Sequence, residues 1–109
     1  MIYSSNVLHI SPWECAEGLF KGAGHLLPPS SGLLLIYGPF AVDGVLSPES
    51  NRSFDRSLRG RDPRWGIRDV ADLVRLATSN GLQLVSTHEM PANNKLLVFQ
   101  KKRSSSVTK

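Results

Sequence analysis

The stretch Pro28-Pro29-Ser30-Ser31-Gly32-Leu33-Leu34-Leu35-Ile36-Tyr37-Gly38-Pro39 decides the fold class. Two prolines and a Ser-Ser-Gly turn detach what precedes it from an unbroken apolar run, and Gly38-Pro39 closes that run. Such a run without polar alternation reads as a strand covered on both faces, as in a parallel sheet. Upstream, Ser11-Pro12-Trp13-Glu14 reads as a helix start. Serine supplies a cap, proline suits the first helical position, and Glu14 stands three residues after Ser11, as a capping box requires. Ala16, Leu19, Phe20, Ala23, Leu26 and Leu27 follow at helical spacing, which gives the helix one buried face. Pro28-Pro29 ends it. A helix, a turn and a covered strand make half of a βαβ unit, and Met1-Ile2-Tyr3 is the only candidate for the strand before the helix.

Downstream the chain turns irregular over 38–68, where Pro39, Gly44, Pro48, Gly60, Pro63 and Gly66 recur. A stretch this long after a parallel strand carries function or covers a site. Within it, Ser47-Pro48-Glu49 starts a helix through Asn51 to Leu58, with Phe54 and Leu58 as a narrow apolar stripe. Arg52, Arg56 and Arg59 share the other side, and Asp55 and Arg59 are spaced for an ion pair. Asp69 caps a further helix whose buried face is Val70, Leu73, Val74 and Ala77, and Asn80-Gly81 stops it. Two strands, 82–89 and 95–100, flank Met90-Pro91-Ala92-Asn93-Asn94, a loop short enough for an antiparallel hairpin. The expected architecture is α/β, with 33–37 as a central strand, the helices from Pro12 and Asp69 covering it from its two faces, and the hairpin extending the sheet.

The 109 residues are 40% hydrophobic, enough for one small domain with a core and too few for two. A single cysteine, Cys15, excludes a disulfide framework and a paired-cysteine zinc site. His9, His25 and His88 have no metal spacing. No apolar run approaches the roughly 20 residues of a membrane span, and no secretory signal is visible in 1–11. The expected setting is therefore cytoplasmic, with the nucleus as the alternative, and no membrane partner. The net charge of +4 comes from 13 Lys+Arg against 9 Asp+Glu. Part of the surplus lies in a basic tail, 102–109, expected to be disordered. The rest lies in the arginines between Arg52 and Arg75, where a solvated basic face is a better reading than a nucleic-acid surface. Cys15 lies in the first turn of a helix, but a small packed side chain is a better reading than a nucleophile paired with His9.

Several blocks together resemble one family. They are Asn6-Val7-Leu8-His9-Ile10-Ser11-Pro12-Trp13, Glu17-Gly18-Leu19-Phe20-Lys21-Gly22-Ala23-Gly24-His25-Leu26-Leu27, Tyr37-Gly38-Pro39-Phe40, Arg64-Trp65-Gly66-Ile67-Arg68-Asp69 and Met90-Pro91-Ala92-Asn93-Asn94-Lys95. They resemble the methyltransferase-like 26 family, which is assigned to the class I S-adenosylmethionine-dependent methyltransferases. The resemblance covers 1–101 and implies the C-terminal half of a Rossmann-like sheet: strand, helix, strand, helices and an antiparallel hairpin. On that template Met1-Ile2-Tyr3 ends the fourth strand, 33–37 is the fifth, and the hairpin is the sixth and seventh.

The cofactor-binding half, with its glycine-rich loop, has no counterpart in this sequence. Gly18, Gly22 and Gly24 lie in a helix and follow no strand, so they form no nucleotide loop. The resemblance therefore implies S-adenosylmethionine as the cofactor of an intact family member and none for this chain. The expected function is a truncated methyltransferase of unknown acceptor, inactive alone. The alternatives are a non-enzymatic interaction module that self-associates through an exposed sheet edge, or a weak nucleic-acid binder through the 52–75 arginines.

Ligands of an open α/β sheet bind outside the carboxyl ends of the strands. That rule singles out Asn6 and His9, just past the first strand, and Tyr37 at the end of the central one. The resemblance adds Asn93 and Asn94 in the last hairpin, which are otherwise turn residues tolerant of left-handed dihedrals. Arg68, with Arg61 and Arg64 around Trp65, suits an anionic or planar acceptor. The competing reading there is solvated arginines beside a half-buried tryptophan.

Overall fold

The computed structural model describes residues 1–102. Nearly all of the expected basic tail lies outside the described residues. The elements in chain order are β1 (Ile2–Ser5), α1 (Trp13–Leu26), β2 (Leu33–Gly38), β3 (Phe40–Ala41), α2 (Glu49–Arg61), β4 (Arg68–Asp69), α3 (Val70–Ser79), β5 (Leu82–Met90) and β6 (Asn94–Lys101). Single 3-10 turns occupy Leu8–Ile10, ahead of α1, and Pro91–Asn93, at the tip of the final hairpin. None of the described helices is long and apolar enough to cross a membrane.

Four strands form the main sheet in the order β1-β2-β6-β5. β1 runs parallel to β2, and the chain between them, through α1, completes the expected βαβ unit. β6 is antiparallel to both β2 and β5, so the last strand sits inside the sheet and β5 forms its far edge. Strand propensity alone would end β1 at Tyr3, but pairing with β2 carries it through Ser5. β3 and β4 make a second, two-stranded parallel sheet that the sequence pattern did not suggest. Both strands are too short to show any periodicity.

The core is built on one face of the main sheet. Leu34 pairs with Phe99 and Ile36 with Leu97, and all four are essentially inaccessible. Ala16, Phe20 and Ala23 of α1 and Leu73 and Ala77 of α3 pack onto them in a single cluster. Phe20 meets Phe99 edge to face at 5.1 Å between ring centroids, a favoured aromatic geometry. The two helices also touch: a Cβ on Gly24 of α1 would collide with the Asn80 carbonyl oxygen at the end of α3, so only glycine permits this approach.

Helices α1 and α3 thus share a face, whereas the sequence reading placed them on opposite faces. Along β2, Leu34, Ile36 and Gly38 are buried while Leu33, Leu35 and Tyr37 are only half-buried. The second face carries these residues together with Tyr3, which is 59% exposed. An unbroken apolar run hides this difference, because it supplies apolar side chains to both faces whether or not both are covered. The right-handed sense of parallel crossovers fixes the side taken by α1, and no such rule governs α3, which leads into the antiparallel hairpin.

Local signals fare unevenly. Asp69 caps α3 as expected, its side chain accepting from the Ala71 amide at 2.8 Å. The Ser11 capping box does not form. Pro12 takes the cap position, and the Ser11 hydroxyl donates instead to the Val7 carbonyl at 2.9 Å, which secures the 3-10 turn. The Asp55–Arg59 pair forms at 3.0 Å.

Phe99→Ala should remove the centre of the core and lower unfolding free energy by about 3–5 kcal/mol. Tyr3→Ser, on the open face, should change it by less than about 0.5 kcal/mol. Urea denaturation of the two variants checks the difference.

Candidate functional site

The carboxyl ends of β1 and β2 lie side by side. Asn6 leaves β1 with φ of 56°, a left-handed conformation that asparagine tolerates, and its amide donates to the Tyr37 carbonyl at 2.9 Å. The chain then winds through the 3-10 turn, which brings His9 back over the end of β2. A Cβ on Gly38 would lie 3.6 Å from both Cε1 and Nδ1 of His9 and 3.9 Å from Asn6 Oδ1. The imidazole thus lies directly above Gly38 at ordinary contact distance from where a Cβ would stand. Phe54 of α2 closes the other side of the ring, edge to face at 5.7 Å.

His9 is 6% exposed. Burial lowers its pKa below the ordinary imidazole value, because the charged form loses hydration there. The neutral ring keeps a lone pair at neutral pH, and among the described residues no side chain hydrogen-bonds to it.

The segment before β4 holds this ring in place through backbone groups. The Gly66 amide donates to the His9 carbonyl at 3.0 Å. Arg68 Nη2 donates to the carbonyls of Ser11 and Arg64, both at 2.8 Å, and Nε reaches the Leu8 carbonyl at 3.3 Å. The guanidinium also stacks over Trp13 at 5.6 Å, not over Trp65. Its Nε and Nη2 donors are thus engaged, two of the three bonds going to the turn that carries His9. Burial, and then the nearby Arg59, lower the Arg68 pKa.

The remaining residues singled out from the sequence divide between two places. Asn93, with φ of 61°, joins the His9 side: its carbonyl accepts from Asn51 Nδ2 of α2 at 3.4 Å. Tyr37 alternates with Gly38 along β2, so its ring leaves the opposite face, where its hydroxyl accepts from Asn94 Nδ2 at 3.2 Å. Asn6, His9 and Asn93 therefore flank one edge, Tyr37 and Asn94 form a pair behind it, and Arg68 lies beneath. The sequence reading missed Gly38, Phe54 and Asn51 as walls of this edge. Spacing to Leu58 marks Phe54 as part of a helix stripe, and only the fold shows that it faces His9 with 41% of its surface exposed.

Two cavities open nearby. One, of about 710 Å³, is lined by Trp13, Ile67 and Leu76 with three arginines and three aspartates. Its charges already have partners: Asp55 with Arg59, Asp72 with Arg75, Asp69 with the Gly44 and Ala71 amides, and Arg68 with carbonyls. The other, of about 390 Å³, lies between β3, the start of α2 and the final hairpin. The arginine-rich segment is likewise largely neutralised. Arg52 and Arg56 bind Glu49, and Arg64 binds Asp62. Exposed pairs of this kind add little stability.

Residues 1–101 match the family described as "Protein of unknown function (DUF938)". The chain belongs to that family. Among solved structures, the fold is similar to an O-methyltransferase family 2 protein from Planctomyces limnophilus in complex with apigenin. The TM-score is 0.81 and the identity 21%, over 92% of this chain and 29% of that one. It is also similar to human N-acetylserotonin methyltransferase in complex with SAM, with TM-score 0.78 and 15% identity, over 92% and 28% of the two chains. A third similar structure is described as a pericyclic reaction enzyme, with TM-score 0.76 and 16% identity, over 92% and 26%. The chain spans less than a third of the length of each of these proteins. The architecture is the Rossmann-type fold of these neighbours, and the third neighbour shows that the fold does not fix the reaction.

Since the folded state resists protonating His9, the unfolded chain binds more protons as pH falls below about 6.5. This contribution to stability should decline between about pH 7.5 and pH 5.5. His9→Gln should flatten that decline, and urea midpoints at the two pH values compare the variant with the parent. Equal slopes would mean that His9 is not buried as described.

Proposed function

We propose that this chain supplies the acceptor side of an S-adenosylmethionine-dependent methyl-transfer domain. The reading includes membership of the methyltransferase-like 26 group and correspondence of β1, β2, β5 and β6 to the last four strands of that sheet. The observation that carries it is the neutral, buried His9 beside Asn6 at the carboxyl ends of two parallel strands, the edge at which open α/β sheets bind ligands. Its support from the neighbours is their shared fold, one of them holding SAM.

The described residues do not fit the methyl donor. Gly18, Gly22 and Gly24 lie within α1, and no described strand is followed by a glycine-rich turn that opens a helix. What the chain's own residues offer is on the acceptor side. His9 accepts a proton from an acceptor hydroxyl or amine, the role its neutral state suits. Asn6 and Asn93 orient the acceptor, and Phe54 excludes water from one side of the imidazole.

Calorimetric titration of the purified chain with S-adenosylmethionine should show no binding in the micromolar range, about 8 kcal/mol. Micromolar binding would overturn the assignment of this chain to the acceptor side alone.

A further inference from the structure

The smaller cavity shares Asn93 with the methyl-transfer reading, which uses none of its other lining residues. The register places Lys95 of β6 opposite Gly38 on β2 and opposite Glu89 on β5. Lys95 therefore sits one strand over from the strand end that carries His9. Its side chain is only 17% exposed, while that of Glu89 is 74% exposed. Lys95 Nζ donates to both Glu89 carboxylate oxygens, at 2.9 and 2.7 Å. The walls beside this ion pair are Phe40, Val42, Val45 and Pro48, with Ser47 and Asn93 adding polar atoms.

The pair is lopsided. A lysine whose side chain is this covered needs a carboxylate partner for its ammonium, because removing the partner leaves a poorly compensated charge. Glu89 has no such need: it stands in water and loses little by rotating outward. The cation is thus fixed and its counter-ion is replaceable. Val42 and Val45 stand at the mouth, 45% and 63% exposed, joined by a small antiparallel bridge that leaves their side chains without cover. A volume of about 390 Å³ falls within the range of small-molecule sites.

We infer that this cavity binds a small amphipathic monocarboxylate, whose carboxylate displaces Glu89 from Lys95 and whose apolar body packs against Phe40, Val42, Val45 and Pro48. A monoanion is specified because Lys95 is the one cation among the described residues lining the cavity and Glu89 remains close enough to repel a dianion. The inference goes beyond methyl transfer and is measured without donor or turnover, so either reading can fail alone.

Hexanoate and its neutral isostere hexanamide, titrated into the ¹⁵N-labelled full chain, test it. Hexanoate should shift the amides of Val42, Val45 and Lys95 and bind about tenfold more tightly than hexanamide. Lys95→Met should abolish that preference, Lys95→Arg should retain it, and Glu89→Gln should strengthen hexanoate binding by removing its competitor. If Lys95→Met fails to fold, the Glu89→Gln and Lys95→Arg results decide the matter. Equal affinity for acid and amide, or weaker hexanoate binding in Glu89→Gln, would overturn the proposal.

Discussion

The antiparallel pairing of β2 with β6 is the interaction on which the rest depends. It brings Leu34 against Phe99 and Ile36 against Leu97, which makes the floor onto which α1 and α3 pack. The same pairing sets Gly38 against Lys95, so it fixes the strand end under His9 and the base of the smaller cavity together. β1 leans on this pair from one side and β5 from the other. Shifting β6 by one residue would turn Leu97 and Phe99 to the open face and Lys95 away from Glu89, so core and cavity are tied to one register.

The candidate site lies where that platform ends. Parallel β1 and β2 finish together, and the turn after β1 returns His9 over Gly38. Most of the work of holding His9 is done by main-chain groups. Gly66 and Arg68 bond the carbonyls of Leu8, His9 and Ser11, which pins the backbone, while among the described residues no side chain hydrogen-bonds to the imidazole. Arg68 is the instructive case. Its residue type suggests recognition of an anion, and in the fold its Nε and Nη2 bind the protein's own carbonyls.

Elements with local chemistry were legible in the sequence. Proline and glycine punctuation marked both ends of β2, Asp69 marked the start of α3, and the short loop after Met90 marked the hairpin. The position of Asn6 and His9 just past the end of β1 was legible too. Three things were not legible, each because it depends on distant contacts. The sharing of one face by α1 and α3 is set by tertiary packing and the Gly24–Asn80 approach. The β3–β4 pair joins segments far apart in sequence whose dipeptides carry no pattern. The Ser11 hydroxyl had a competing acceptor in Val7 that only the folded turn presents. Glu89 and Lys95 flank a hairpin loop, so their pairing was within reach of a register argument, but their contrast in burial was not.

Native-state hydrogen exchange, read residue by residue, tests the central role of the β2–β6 pair most directly. The amides that bond β2 to β6, including those of Leu97 and Phe99, should exchange only through global unfolding, while the amides of Ile2 and Tyr3 in β1 should exchange through local fraying of the sheet edge. Protection at Ile2 and Tyr3 equal to that at Leu97 and Val98 would contradict the account, because the edge would then be covered and β1 would be as integral to the sheet as its centre.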